Sequence, residues 1–288
     1  MTTTPATITA AASHNLFIFD LDGTLAMPSQ EASPRAKKAL GDLAATGATI
    51  VIATGRTLNA AFALLTECES GYVVASNGGV VGADPGNEVL TRTVMPPELI
   101  RELITIGRDH GMFIVLFRTH SALMQEPGPA AEAMRRGNSN VDTEFGEPED
   151  ADFSDVLKVM FWAEKEVLDR ELEAMREKQP GIVRSLANVA EMSTPGAEKD
   201  GALQWLAEHT DVDLKEAVGV GDSGNDMGWL PLVGMSIAPS DAIPDVIDIV
   251  DVVLDGKSPK CVIEFIEAVT AERTAGSEHS PHPAEPAG

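Results

Sequence analysis

Two aspartates flanking one leucine, Asp20-Leu21-Asp22, followed by Gly23 and Thr24, end an apolar run that begins at Leu16. Carboxylates this close repel each other, and a fold gains nothing by holding them at a buried strand end unless a cation or a proton compensates. Alone, Asp-x-Asp-Gly reads equally well as an acidic turn in which Gly23 supplies a positive φ. A second acidic stop follows far downstream, where Ala217-Val218-Gly219-Val220 gives way to Gly221-Asp222-Ser223-Gly224-Asn225-Asp226. Between the two lie Thr54-Gly55-Arg56 after an apolar run, Asn77 in the turn Ser76-Asn77-Gly78-Gly79, and Lys199 at a helix start. Each has an ordinary reading as a turn, a solvated charge or a tight loop. Taken in order on successive strand ends they form a set. Asp20, Asp22, Asp222 and Asp226 need a hard cation, and carboxylate, carbonyl and water ligands make a Mg²⁺ environment. The Thr54 hydroxyl with the N–H groups of its turn at Gly55, the Lys199 point charge and the Asn225 amide are the donors a phosphate group requires.

The elements that must position these residues follow from the apolar patterning. Leu16 to Phe19, Thr49 to Ala53 and Tyr72 to Ala75 are short apolar runs ending in small or polar residues. They alternate with helices from Ser33-Pro34 to about Ala45 and from Leu58 to about Thr66. That alternation predicts an α/β fold, a doubly wound Rossmann-like parallel sheet whose strand C-termini carry the chemistry. After Val80 the texture changes to hairpins mixed with helices, which predicts an inserted α+β cap with its own core. From Gly196 the doubly wound pattern returns. The expected boundaries are a loose N-terminal arm over 1–14, a core over 15–80 and 191–271, a cap over 81–190, and a disordered tail over 272–288. The acidic run from Glu144 to Asp155 reads as a solvated loop. Arg118, His120, Arg135, Arg136 and Lys158 are cap cations, each read as a surface charge. His279 and His282 in the tail lack partners at defined spacing and are assigned no metal.

Composition bounds the partners. The chain has 288 residues, 43% of them hydrophobic, enough for one large domain or two modest ones. No apolar run approaches the roughly 20 residues that span a bilayer, and the N-terminus lacks signal-peptide character, so a cytoplasmic protein is expected. Cys68 and Cys261 stand far apart without His or Cys neighbours, as buried free thiols do. A formal charge of -24 argues against nucleic acid and anionic membranes as partners, whose phosphates are neutralised by Lys and Arg. An anionic small molecule can still be held by contact cations, because distant charge is screened over about 8 Å. Nothing in the sequence indicates an oligomeric state.

In Asp20-Leu21-Asp22-Gly23-Thr24, Thr54-Gly55-Arg56, Lys199 and Gly221-Asp222-Ser223-Gly224-Asn225-Asp226 the chain resembles the haloacid dehalogenase superfamily of phosphatases. The Asn77-Gly78-Gly79 turn and a cap of this size resemble its Cof-type subgroup, with a type-IIB cap. The resemblance implies a Mg²⁺-dependent phosphomonoester hydrolase acting on a small phosphorylated metabolite, a sugar phosphate first. Asp20 would be the nucleophile that forms an aspartyl-phosphate, and Asp22 the general acid and then base. The metal would be held by Asp20, the backbone carbonyl of Asp22 and Asp222, with Asp226 in support. Thr54, Gly55 and Lys199 would hold phosphoryl oxygens, with Asn225 beside them and Asn77 at the junction of core and cap. Departures fall at Trp229, where many Cof-type sequences carry a methionine, and at Asp241, where an amide is usual; both leave the four motifs whole. The alternatives are a phosphomutase of the same fold and a non-catalytic phosphate-binding or scaffold protein. Ion pumping with the same aspartate chemistry would need membrane spans that the sequence lacks.

Overall fold

The computed structural model describes residues 4–28, 30–137 and 141–278. A helix α1 (Pro5–Ala12) precedes β1 (Leu16–Phe19); then come α2 (Pro34–Ala45), β2 (Thr49–Ala53), α3 (Leu58–Phe62), β3 (Gly71–Ala75), β4 (Val80–Asp84) and β5 (Glu88–Arg92). The inserted part contains α4 (Pro97–Asp109), β6 (Phe113–Arg118), β7 (Ser121–Met124), α5 (Pro129–Gly137), β8 (Asp142–Phe145), β9 (Val156–Trp162), α6 (Lys165–Lys178), β10 (Val183–Leu186) and β11 (Val189–Ser193). The chain returns through α7 (Lys199–His209), β12 (Ala217–Val220), β13 (Met235–Pro239), α8 (Pro244–Ile247), β14 (Val252–Leu254) and α9 (Lys260–Glu278).

β1 lies in the middle of an eight-stranded sheet of order β14-β13-β12-β1-β2-β3-β4-β5, parallel from β14 to β3 and antiparallel over β4 and β5. Phe17 and Phe19 pack on one face with Leu40 and Leu43 of α2 and Val262 and Ile266 of α9; Ile18 and Val51 pack on the other with Leu203 and Leu206 of α7. A parallel sheet covered on both faces needs an apolar residue at every position, which is why β1 reads as a continuous run. Burying each of its two phenylalanines is worth about 2 kcal/mol. α2 starts where its sequence says it should: Ser33 Oγ accepts the Ala36 N–H at 3.2 Å, and Pro34 occupies the first turn.

The inserted sheet has the order β10-β11-β9-β6-β7-β8, with β9 antiparallel to both β6 and β11. One face of β9, with Val159 and Phe161, packs on Leu103 of α4 and Leu168 and Met175 of α6. The pleat therefore turns Lys158 and Met160 to the opposite face, alongside Glu191 and Ser193 of β11, which pair with Met160 and Lys158 respectively.

Several boundaries differ from the expectation. The expected arm contains α1, started by a Thr4–Thr7 capping box, and it packs on α9. The expected disordered tail is helical from 272 to 278 because α9 continues. There Arg273 donates to Ala12 O, His14 O, Thr46 Oγ1 and Asn15 Oδ1, tying helix end to chain start. The rest of the tail, with His279 and His282, lies outside the described residues. β4 and β5 belong to the core sheet, so the insertion begins after Arg92, and its last strand β11 ends at Ser193. A hairpin looks the same in sequence whichever sheet it extends. α3 ends at Phe62, short of the expected Thr66. Lys158 is not a surface charge: it is 5% exposed. Cys68 and Cys261 are free thiols, half-buried and buried.

Candidate active site

Asp20 leaves the end of β1, its N–H donating to Val220 O of β12 at 2.9 Å. The chain then turns tightly, with Leu21 O accepting the N–H groups of Thr24, Leu25 and Ala26. Gly23 permits this turn at φ +88, and a Cβ there would stand 2.2 Å from Asp222 Oδ2. Glycine is thus required twice over, for its positive φ and for the approach of the two acidic loops. Thr24 Oγ1 completes the junction by donating to Asp222 Oδ1 at 3.1 Å.

Lys199, at the start of α7, is buried between two carboxylates. Its Nζ lies 2.6 Å from Asp20 Oδ1 and 2.8 Å from Asp226 Oδ1. Asp226 is saturated with donors: Oδ1 also accepts from Trp229 Nε1 at 2.9 Å, and Oδ2 accepts the N–H groups of Asp222 and Ser223, each at 3.1 Å. Its lone pairs shape the loop and hold the lysine. Trp229, singled out only as a departure in the sequence, is a fully buried prop of this carboxylate. Burial pushes the Asp20 carboxyl well above its ordinary range, with Lys199 opposing and Asp226 and Asp222 adding to the rise. Burial and then the Asp226 charge push Asp222 up to about 6. Burial pulls the Lys199 ammonium down, but Asp20 and then Asp226 outweigh it and hold the proton on.

Asp20, Asp222 and Asp226 can each bring one carboxylate oxygen within 4.8 Å of the others. The Asp20 Oδ2 atom is buried and has no hydrogen-bond partner. Crowded oxygens, raised carboxyls and an orphaned acceptor are what a hard divalent cation would satisfy, so the residues fit Mg²⁺. Asp22 adds no carboxylate to that cluster. Arg56 grips it in a fork, Nε to Oδ2 at 2.8 Å and Nη2 to Oδ1 at 2.6 Å, and also donates to Gln30 O at 2.7 Å. A bidentate guanidinium fixes the plane of the carboxylate as well as its position.

A cavity of about 670 Å³ opens over these groups, bounded below by Asp20, Asp22, Gly55 and Arg56 and above by β9 to β11 of the insertion. Thr54 is fully buried beneath it, and its hydroxyl accepts the Arg56 N–H at 3.1 Å. Lys199 and Asp226 likewise lie under the floor. Asn77, held at φ 56, accepts at its Oδ1 from Asn225 Nδ2 at 3.1 Å and donates to Ser193 Oγ at 3.3 Å. A chain of amides thus links the acidic loop to the cap. Of the cap cations, Lys158 reaches the cavity, Arg118 pairs with Glu144, His120 bonds Asn59, and Arg135 is exposed. The side chain of Arg136 lies outside the description. The sequence carried a signal for Lys158, a cation inside an apolar strand run. Arg56 belongs to a motif in which the Thr54 hydroxyl and the turn N–H groups, not the guanidinium, read as the functional parts.

Comparison with known proteins identifies the family and the fold. A match to the haloacid dehalogenase-like hydrolase family spans residues 17–266. A relative named HMP-PP phosphatase from Yersinia pestis (strain Pestoides F) is 28% identical over 236 residues, which cover 80% of this chain and 85% of the relative. Among solved structures, a haloacid dehalogenase-like hydrolase from Bacteroides thetaiotaomicron aligns with a TM-score of 0.78 at 23% identity, covering 89% of this chain and 99% of that one. A subclass IIB sugar phosphatase aligns with a TM-score of 0.66 at 20% identity, covering 91% and 99%. At these identities the two structural likenesses speak for the fold. Among the described residues, no helix is long and apolar enough to cross a membrane.

Proposed function

The chain belongs to the haloacid dehalogenase-like hydrolases, as an enzyme of their phosphatase kind, and from that premise we propose that it hydrolyses a small cytoplasmic phosphomonoester, a sugar phosphate first, through an aspartyl-phosphate. The observation that carries this reading is the buried Asp20, with Lys199 on one oxygen and no hydrogen-bond partner on the other. A buried carboxylate at a cavity floor, held in place by one ammonium, is the disposition of a nucleophile.

Asp20 attacks phosphorus and its carboxylate becomes an acyl phosphate, while the leaving oxygen takes a proton from Asp22. Asp22 then removes a proton from the water that clears the intermediate, a role worth typically 10² to 10⁴ in rate. The Arg56 fork occupies both Asp22 oxygens, so one must be released when substrate enters and Asp22 takes up its proton. Lys199 neutralises charge at Asp20, and Asp226 keeps it there. Asp20 and Asp222, with the Asp22 carbonyl, would hold a Mg²⁺ ion, which supplies charge neutralisation to the phosphoryl oxygens. The turn N–H groups at Gly55 and the Asn225 amide lie at the cavity wall, where those oxygens arrive.

The test is phosphate release from a panel of sugar phosphates, pyridoxal phosphate and nucleotides, with and without Mg²⁺, for wild type and Asp20→Asn. Metal-dependent release by wild type alone supports the reading. Silence across the panel, including after addition of a bisphosphate activator, would refute it.

A further inference from the structure

The cations along the cavity wall are already spoken for. Among the described residues lining it, Arg56 faces Asp22, Arg184 lies 2.6 Å from Asp169, and Lys158 lies 3.2 Å from Glu191. The last pair is the informative one. Lys158 and Glu191 have side chains only 6% and 11% exposed, and they sit on the cap face that looks down on the nucleophile. Lys158 Nζ also donates to Gly55 O of the phosphate-side turn at 3.1 Å, so the pair is braced against the core when the cap is in this position. A buried ion pair is weak as a device for stability. At a cavity wall it offers an ammonium donor and a carboxylate acceptor side by side.

We infer that Lys158 and Glu191 recognise the leaving group, and that this group is an uncharged polyhydroxyl moiety bearing a single phosphate. The inference rests on the phosphomonoesterase reading above and narrows its substrate class. A hydroxyl can accept from Lys158 and donate to Glu191 at once, whereas a second phosphate would meet the Glu191 carboxylate and find every neighbouring cation neutralised. Like charges brought together at an interface are rejected strongly. The nearby wall is apolar, with Met160 and the exposed Val183 and Leu186 of β10, which suits the C–H faces of a sugar ring or an alditol chain. The same arrangement disfavours a phosphomutase, which must seat a bisphosphate.

The experiment compares kcat/KM for a hexose 6-phosphate and the corresponding 1,6-bisphosphate in Mg²⁺, with p-nitrophenyl phosphate as a substrate that lacks hydroxyl groups. Wild type should favour the monophosphate by at least about tenfold, a floor for a second anion brought against an unmatched carboxylate. Glu191→Gln removes the repelling carboxylate and frees the Lys158 charge. It should therefore raise the ratio of bisphosphate to monophosphate turnover by about tenfold, read within one protein preparation. Equal use of the two esters by wild type overturns the inference, as does a ratio unmoved in Glu191→Gln. If that variant fails to fold, the wild-type ratio decides. No turnover of p-nitrophenyl phosphate or either sugar ester would instead refute the phosphomonoesterase reading, and this inference with it.

Discussion

Replacing Lys199 with methionine removes a charge while keeping most of the volume. The ammonium lies 2.6 Å from Asp20 Oδ1 and 2.8 Å from Asp226 Oδ1, and the three side chains are 0%, 3% and 0% exposed. Nothing in solvent can take its place. Removing one partner of a buried pair costs about 3–5 kcal/mol, because the remaining charges stay buried. In a chain of this size each kcal/mol corresponds to roughly 2–4 °C, so Lys199→Met should melt about 10 °C below wild type in chelator near neutral pH. Mg²⁺ should restore more stability to the variant than it adds to wild type, since the cation supplies the missing charge. Adding Asp20→Asn should recover part of the loss, because one of the two stranded carboxylates is gone and the amide nitrogen can replace an oxygen that accepts no hydrogen bond. Turnover should fall by about 10² to 10³, as when one preorganised charge stabiliser is removed. Calorimetry and urea titration of the single and double variants measure the stability changes, and phosphate release measures the turnover. A loss within about 1 kcal/mol, the value of a solvent-screened pair, would refute the reasoning. So would strict additivity of the two substitutions.

Other expectations test neighbouring parts of the site. Asp20→Asn should lose turnover while keeping its circular dichroism spectrum; hydrolysis surviving in a phosphatase-free preparation would rule out Asp20 as the nucleophile. Gly23→Ala must place a Cβ 2.2 Å from Asp222 Oδ2 at φ +88. It should therefore lose about 1–3 kcal/mol of stability and weaken Mg²⁺ binding by calorimetry, and unchanged binding would mean that the two loops part without consequence. In chelator, burial and then the Asp226 charge push the folded Asp222 carboxyl up to about 6 from an ordinary 3.8. The folded state therefore binds the extra proton, and stability should fall as pH rises from about 4 to 6, by at most about 2–3 kcal/mol before solvent screening reduces it. Urea titrations should show a flatter slope in Asp222→Asn, and Mg²⁺ should reverse the trend; a slope unaltered by that substitution would assign the effect elsewhere.

The parts legible in sequence were those with a local cause. Leu16 to Phe19 announces a buried strand because both faces of its sheet are covered, and its stop at Asp20 marks the edge where chemistry collects. Lys199 and the Asp222 loop were legible for the same reason. What could not be read was tertiary. The fork of Arg56 on Asp22 and the Trp229 bond to Asp226 arise when loops distant in sequence meet, and no spacing records that. β4 and β5 were assigned to the cap because an antiparallel hairpin has the same pattern in either sheet. Polarity after Ala271 suggests disorder, yet Arg273 finds five acceptors, three of them on Ala12 to Asn15 and two on Thr46. Lys158 reads as a surface charge by residue type, although its apolar neighbours on β9 place it in a buried strand.

The position of β1 also has a bearing on how the chain is made. One flank of that strand pairs with β2, close by in sequence, and the other pairs with β12, beginning at Ala217. During synthesis the nucleophile strand has one open edge until everything between has left the ribosome, including the whole insertion from 93 to 193. The insertion's six strands pair only among themselves and need nothing that follows them. The nascent chain can therefore complete its lid before its catalytic floor exists, and one edge of the apolar β1 stays open throughout that interval.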